Sequence, residues 1–134
     1  MTITLWSQTI YYILTAFWAL IDIDSFMKIT GPKKDVWLVK TVAVLLISIS
    51  LSFLVYLYRR NDWLPTAILA VTCCVGLIMI DCFYAFNNII SKIYFADAVI
   101  EFILATCWVI IFIQKGKTSF SQTSSIVRLR GIDE

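Results

Sequence analysis

Residues 64–86 read LPTAILAVTCCVGLIMIDCFYAF, an apolar run broken by a single charge, Asp81. A helix rising 1.5 Å per residue over this stretch is long enough to cross the roughly 30 Å hydrocarbon core of a bilayer. Pro65 falls in its first turn, where a missing N–H costs nothing, and Asn61 or Asp62 is placed to cap that end. The stretch therefore predicts a membrane-spanning helix. Charge within hydrocarbon is costly, so the lone carboxyl is a candidate functional group by default.

Three further runs of this kind flank it, at about 3–21, 36–58 and 94–113. Their connections are too short to be domains, and short connections between helices place consecutive helices antiparallel. The expected fold is therefore all-α, an integral membrane antiparallel four-helix bundle over 1–114 followed by a polar, basic C-terminal tail over 115–134. Turn chemistry agrees. Thr30-Gly31-Pro32 joins the first two helices, and Asn87-Asn88 closes the third. No Lys or Arg precedes the first run and no small-residue cleavage site follows it, so it reads as a span rather than a signal peptide.

Composition supports the same class. The chain is 60% hydrophobic and 15% charged, with a mean hydropathy of +0.87, far more apolar than a soluble domain of 134 residues. Five Trp and six Tyr suit aromatic belts at the membrane surfaces. A formal net charge of +2 offers no basic surface for nucleic acid. Arg59, Arg60 and the tail residues Lys115, Lys117, Arg128 and Arg130 fall on one side, whereas Lys28, Lys33, Lys34, Lys40 and Lys92 fall on the other. The positive-inside rule then places both termini in the cytoplasm.

The remaining chemistry is narrow. There is no His, and Cys73, Cys74, Cys82 and Cys107 lie within apolar runs without a C-x-x-C pair, so no metal site and no cofactor is expected. No nucleophile and base stand at a telling spacing, which argues against an enzyme and leaves no catalytic residue to name. What stands out is acidic. Asp97 and Glu101 are four residues apart and share one helix face. In an up-down bundle they meet Asp81, Asp22 at the end of the first run and Lys40 near the start of the second in one leaflet. Asp22, Lys40, Asp81, Tyr84, Asp97, Glu101 and Trp108 are thus the candidate ligand-binding residues. The carboxylates supply charge, and Tyr84 and Trp108 supply apolar or cation–π walls. On the first helix Thr4, Gln8, Tyr11, Thr15, Trp18 and Asp22 form a polar stripe that should face protein.

The stretches Thr30–Val42 (TGPKKDVWLVKTV) and Tyr94–Glu101 (YFADAVIE) resemble a family of small uncharacterised bacterial membrane proteins with four predicted helices. The likeness extends over most of the chain and includes Asp81. It implies the fold and a location in the bacterial inner membrane, and it carries no activity to transfer. The architecture is also similar to the four-helix cores of DoxX-like proteins and of sigma-2 receptor and sterol isomerase-like proteins, although the His of sterol isomerases has no counterpart here.

Three functions fit these readings. The first is a membrane protein whose intramembrane acidic pocket binds a small amphipathic or cationic ligand, or a lipid. The second is a proton-coupled carrier or helper subunit, which at this size would need homo-oligomerisation to build a path. The third is a structural or accessory subunit in which an ion-pair cluster, with Lys40 as counter-charge, holds the bundle together.

Overall fold

The computed structural model describes the backbone of residues 1–60 and 62–130 and the side chains of residues 1–60 and 62–115. The described residues form five helices and no strand: α1 (Thr2–Ile21), α2 (Ile23–Thr30), α3 (Val36–Arg59), α4 (Trp63–Phe86) and α5 (Tyr94–Arg130). Three segments are long and apolar enough to cross a membrane, namely α3, α4 and the Tyr94–Lys115 part of α5. α1 and α2 pass the same test only together, and the chain bends by 111° between them. Thr4, Ser7, Gln8, Thr9 and Thr15 make α1 the more polar helix.

The bend has a local cause that the sequence reading passed over. Asp22 ends α1 with its own N–H bonded to the Trp18 carbonyl, and its carboxylate accepts the Ser25 N–H at 3.0 Å. It thereby caps α2, an eight-residue helix where a plain connection was expected. Phe26 and Thr30 are the buried face of α2, and the Phe26 ring meets Trp18 edge-on with centroids 5.4 Å apart.

Packing divides the helices into two antiparallel pairs, α1 with α3 and α4 with α5. Small residues permit the close approach in the first pair: Ala16 and Ala19 on α1 are buried with Ala43 on α3. In the second pair, Trp63 packs on Phe112 at one end and Phe86 on Phe95 at the other, with centroids 5.2 and 5.0 Å apart. The two pairs approach each other less closely. Large side chains fill the space between them: Leu5 and Tyr12 from α1, Phe53 from α3 and Trp108 from α5, all fully buried against Ala67 and Ala70 of α4.

The loops seal one end of the molecule. Gly31 has φ +86°, a backbone conformation for which a side chain is unsuited, and a Cβ there would lie 3.4 Å from the Ser91 Cβ. The α2–α3 and α4–α5 connections therefore touch at this end. At the other end α3 closes on Arg60 in the left-handed region, its N–H bonded to the Tyr56 carbonyl at 2.7 Å. The last helix runs on to Arg130 instead of ending near residue 113. The side chains on which the solvated-tail reading depends, and residues 131–134, lie outside the described residues.

Candidate functional site

Gln8 is the one carboxamide in the first apolar run, and it is fully buried between the two helix pairs. A buried amide needs partners for its oxygen and both of its hydrogens. Its oxygen accepts the Trp108 indole N–H at 2.8 Å. Its nitrogen faces the Ala70 carbonyl at 3.2 Å, the Tyr12 hydroxyl at 3.0 Å and the Cys74 sulfur at 3.3 Å. One side chain thus ties α1 to both α4 and α5, where direct helix contact is sparse.

The acidic residues continue this network toward the loop end. Tyr12, one turn after Gln8, donates its hydroxyl to Glu101 Oε2 at 3.2 Å. Its neighbour Tyr11 donates to Asp97 Oδ1. Consecutive tyrosines on α1 therefore meet carboxyls spaced one turn apart on α5. Glu101 has no exposed surface and Asp81 is 4% exposed, yet Glu101 Oε1 and Asp81 Oδ2 have no hydrogen-bond partner among the described residues. Glu101 also feels the charges of Asp97 and Asp81. Two buried carboxyls that are short of donors are costly to keep in the interior.

Of the residues expected on sequence grounds, Asp97, Glu101 and Trp108 join one network through Tyr11, Tyr12 and Gln8, Asp81 is buried on α4 two turns beyond Cys74, nearer the loop end, and three lie elsewhere. Lys40 is exposed beside Thr41, Val44 and Leu45 on the outer side of α3. Its expected inward turn is corrected because the buried stripe of α3 runs through Ala43, Ser50 and Phe53, and Lys40 stands off it. Asp22 is exposed and occupied in capping α2. Tyr84 is 40% exposed and stacks edge-on against Phe83, because the inward stripe of α4 is Ala67, Ala70, Cys74, Asp81 and Ala85. It forms no wall of the acidic site.

Lys33 is the cation that stands near Asp81 instead. Its ammonium donates to the Thr30 carbonyl at 3.1 Å and lies 4.5 Å over the Tyr94 ring. Partial burial lowers its pKa, and the charge of Asp81 opposes that shift. The sequence counts Lys33 only among the basic residues that set orientation and gives Tyr12 no role. The signal for Tyr12 was its position one turn after Gln8.

Among the described residues no group of three His, Cys, Asp or Glu is placed to hold a metal ion, and the four cysteines are free thiols. Cys74 lies against Glu101 and is fully buried among α1, α4 and α5. No protein-family model, curated protein or solved structure matches the chain.

Proposed function

We propose that this chain is a multi-pass protein of the bacterial inner membrane, a four-helix bundle in which α1 and α2 together make the first span. Its acidic interior binds a small cation, with a proton as the smallest occupant and the cationic head of a small amphipathic molecule as the largest. The observation that carries this reading is the pair of buried carboxyl oxygens on Asp81 and Glu101 without a donor. Native proteins rarely leave such atoms unmatched, and within a membrane they mark ion or proton pathways. The resemblance to small bacterial four-helix membrane proteins supports the same setting.

Tight packing orders the candidates for occupant. Glu101 and Trp108 are fully buried and Tyr84 faces outward, so the described site favours a proton or a bare cation over a bulky amphiphile. A proton-coupled carrier or helper subunit follows naturally, with self-association supplying the path that one small bundle lacks. A second reading rests on Gln8, whose bonds join the helix pairs. On that reading the whole polar core is a clasp and the protein is an accessory subunit.

Infrared spectroscopy of the purified protein separates the two. A carboxylic C=O band at neutral pH that disappears in Glu101→Gln, or binding of tetramethylammonium that the same variant abolishes, is the expected result. If neither signal is present between mildly acidic and mildly alkaline pH, the cation-binding reading fails.

A further inference from the structure

At the end of the molecule away from the acidic residues lies a cavity of about 280 Å³ lined by Thr2, Tyr56, Leu57, Arg60, Trp63 and Lys115, with Met1 beside them. We infer that it is a binding site for the headgroup of an anionic phospholipid. Its chemistry is mixed in the way such a ligand requires. Arg60 and Lys115 bring two cations, no carboxylate among the described residues lines the space, and Tyr56, Leu57 and Trp63 supply aromatic and aliphatic walls. The Lys115 ammonium is held 4.4 Å from the centre of the Trp63 ring, which keeps it at the cavity instead of free in solvent.

Position favours a lipid over a soluble anion. Arg60 directly follows the last residue of α3, Trp63 opens α4, and Lys115 closes the apolar part of α5. All three therefore stand at headgroup level if these helices span a bilayer, as proposed above. By the distribution of Lys and Arg this is the cytoplasmic face, where anionic lipids give the surface its negative potential. α1 also begins here, with no side-chain cap bond and no acidic residue in its first turn, whereas α4 begins on Asp62, whose carboxylate offsets the dipole of that helix. The volume accommodates a headgroup but not a whole amphiphile, so the acyl chains would lie along the apolar outer faces of the helices.

Native mass spectrometry of the full chain released from micelles tests this, with phosphatidylglycerol and phosphatidylcholine offered in equal amounts. The expected result is preferential retention of phosphatidylglycerol. Removing both cations in an Arg60→Gln/Lys115→Gln variant should cut that preference by roughly thirtyfold, about fivefold for each cation at the surface. Arg59→Gln, which removes a neighbouring surface charge outside the cavity, should lower it by no more than about fivefold, and the charge-keeping Arg60→Lys/Lys115→Arg variant should leave it intact. Millimolar inorganic phosphate should not displace the lipid. Equal retention of both lipids by the unaltered protein overturns the proposal, and so does a preference that survives in the double Gln variant. Displacement by inorganic phosphate overturns it in favour of a soluble anion. Resistance of the chain to alkaline carbonate extraction from membranes checks the membrane reading separately, so the two cannot fail unnoticed together.

Discussion

Glu101 and Gln8 are both fully buried polar residues in the same network, yet their surroundings differ in one respect. Gln8 has a partner for its oxygen and for its amide nitrogen, whereas Glu101 keeps one oxygen unmatched. The first arrangement is that of a structural bond, and the second is what the proposed cation site requires. Gln8→Leu should therefore strand the Trp108 indole N–H and lower stability by about 1–3 kcal/mol, the cost of a buried donor left without its acceptor. Unfolding of the purified variant in a denaturing detergent series measures this. An unchanged midpoint would show that the Gln8 bonds contribute nothing to joining the helix pairs.

The acidic residues were legible before the structure because carboxyls in apolar runs are conspicuous, and the spacing of Asp97 and Glu101 fixed a shared face. The partners were not legible. Lys40 and Lys33 are both lysines near one helix start, and only the three-dimensional course of the Gly31–Asp35 connection decides which of them lies near Asp81. Tyr84 and Tyr12 are likewise equivalent as residue types. The inward stripes of α4 and α1 separate them, and apolar runs bounded by lipid on one side and protein on the other show little contrast from which to read such stripes.

Among the elements, the helix boundaries of α3 and α4 agree with the apolar runs to within a residue or so, because Pro, Gly and paired charges punctuate them. α2 was hidden because its start depends on a side-chain cap by Asp22, a residue that also reads as a membrane-end charge. Two positions in the connections carry backbone conformations with consequences that can be measured. Gly31→Ala should destabilise the fold by about 1–3 kcal/mol, since φ +86° with ψ 154° is a region essentially reserved for glycine. Arg60→Gly should do the opposite, leaving stability unchanged or higher by up to about 1 kcal/mol, because the C-cap of α3 at φ 50° suits glycine better than arginine. Thermal melts in detergent distinguish the two directions. A loss of stability in Arg60→Gly would mean that the Arg60 side chain supports the fold and is not held there for a ligand.

For the whole molecule, the number of spans depends on α1 and α2. If the bent pair crosses the bilayer, four spans place both termini on one side. If it lies along the surface, three spans place them on opposite sides. Thr2→Cys and Ser121→Cys, made separately in a background lacking the native cysteines, decide between these topologies. The expected outcome is that neither is labelled by an impermeant thiol reagent in intact cells and both are labelled after lysis. Labelling of only one in intact cells would show a three-span protein, and labelling of both would reverse the orientation.

The two helix pairs are joined mainly by side chains; on the proposed function the carboxyls among them are kept for an incoming cation, while Gln8, Tyr12 and Trp108 hold the pairs together. Thermal melting of Asp81→Asn and Glu101→Gln in detergent tests this most directly. Neutral isosteres retain the size of each group and an oxygen that can accept a hydrogen bond, so both variants should melt at or above the temperature of the unaltered protein, as is common when a functional site is relieved of unfavourable charge. A fall in both, by the roughly 1–3 kcal/mol expected when a buried hydrogen-bonded group loses its partner, would contradict this, because the acidic residues would then be holding the bundle together instead of standing ready for a cation.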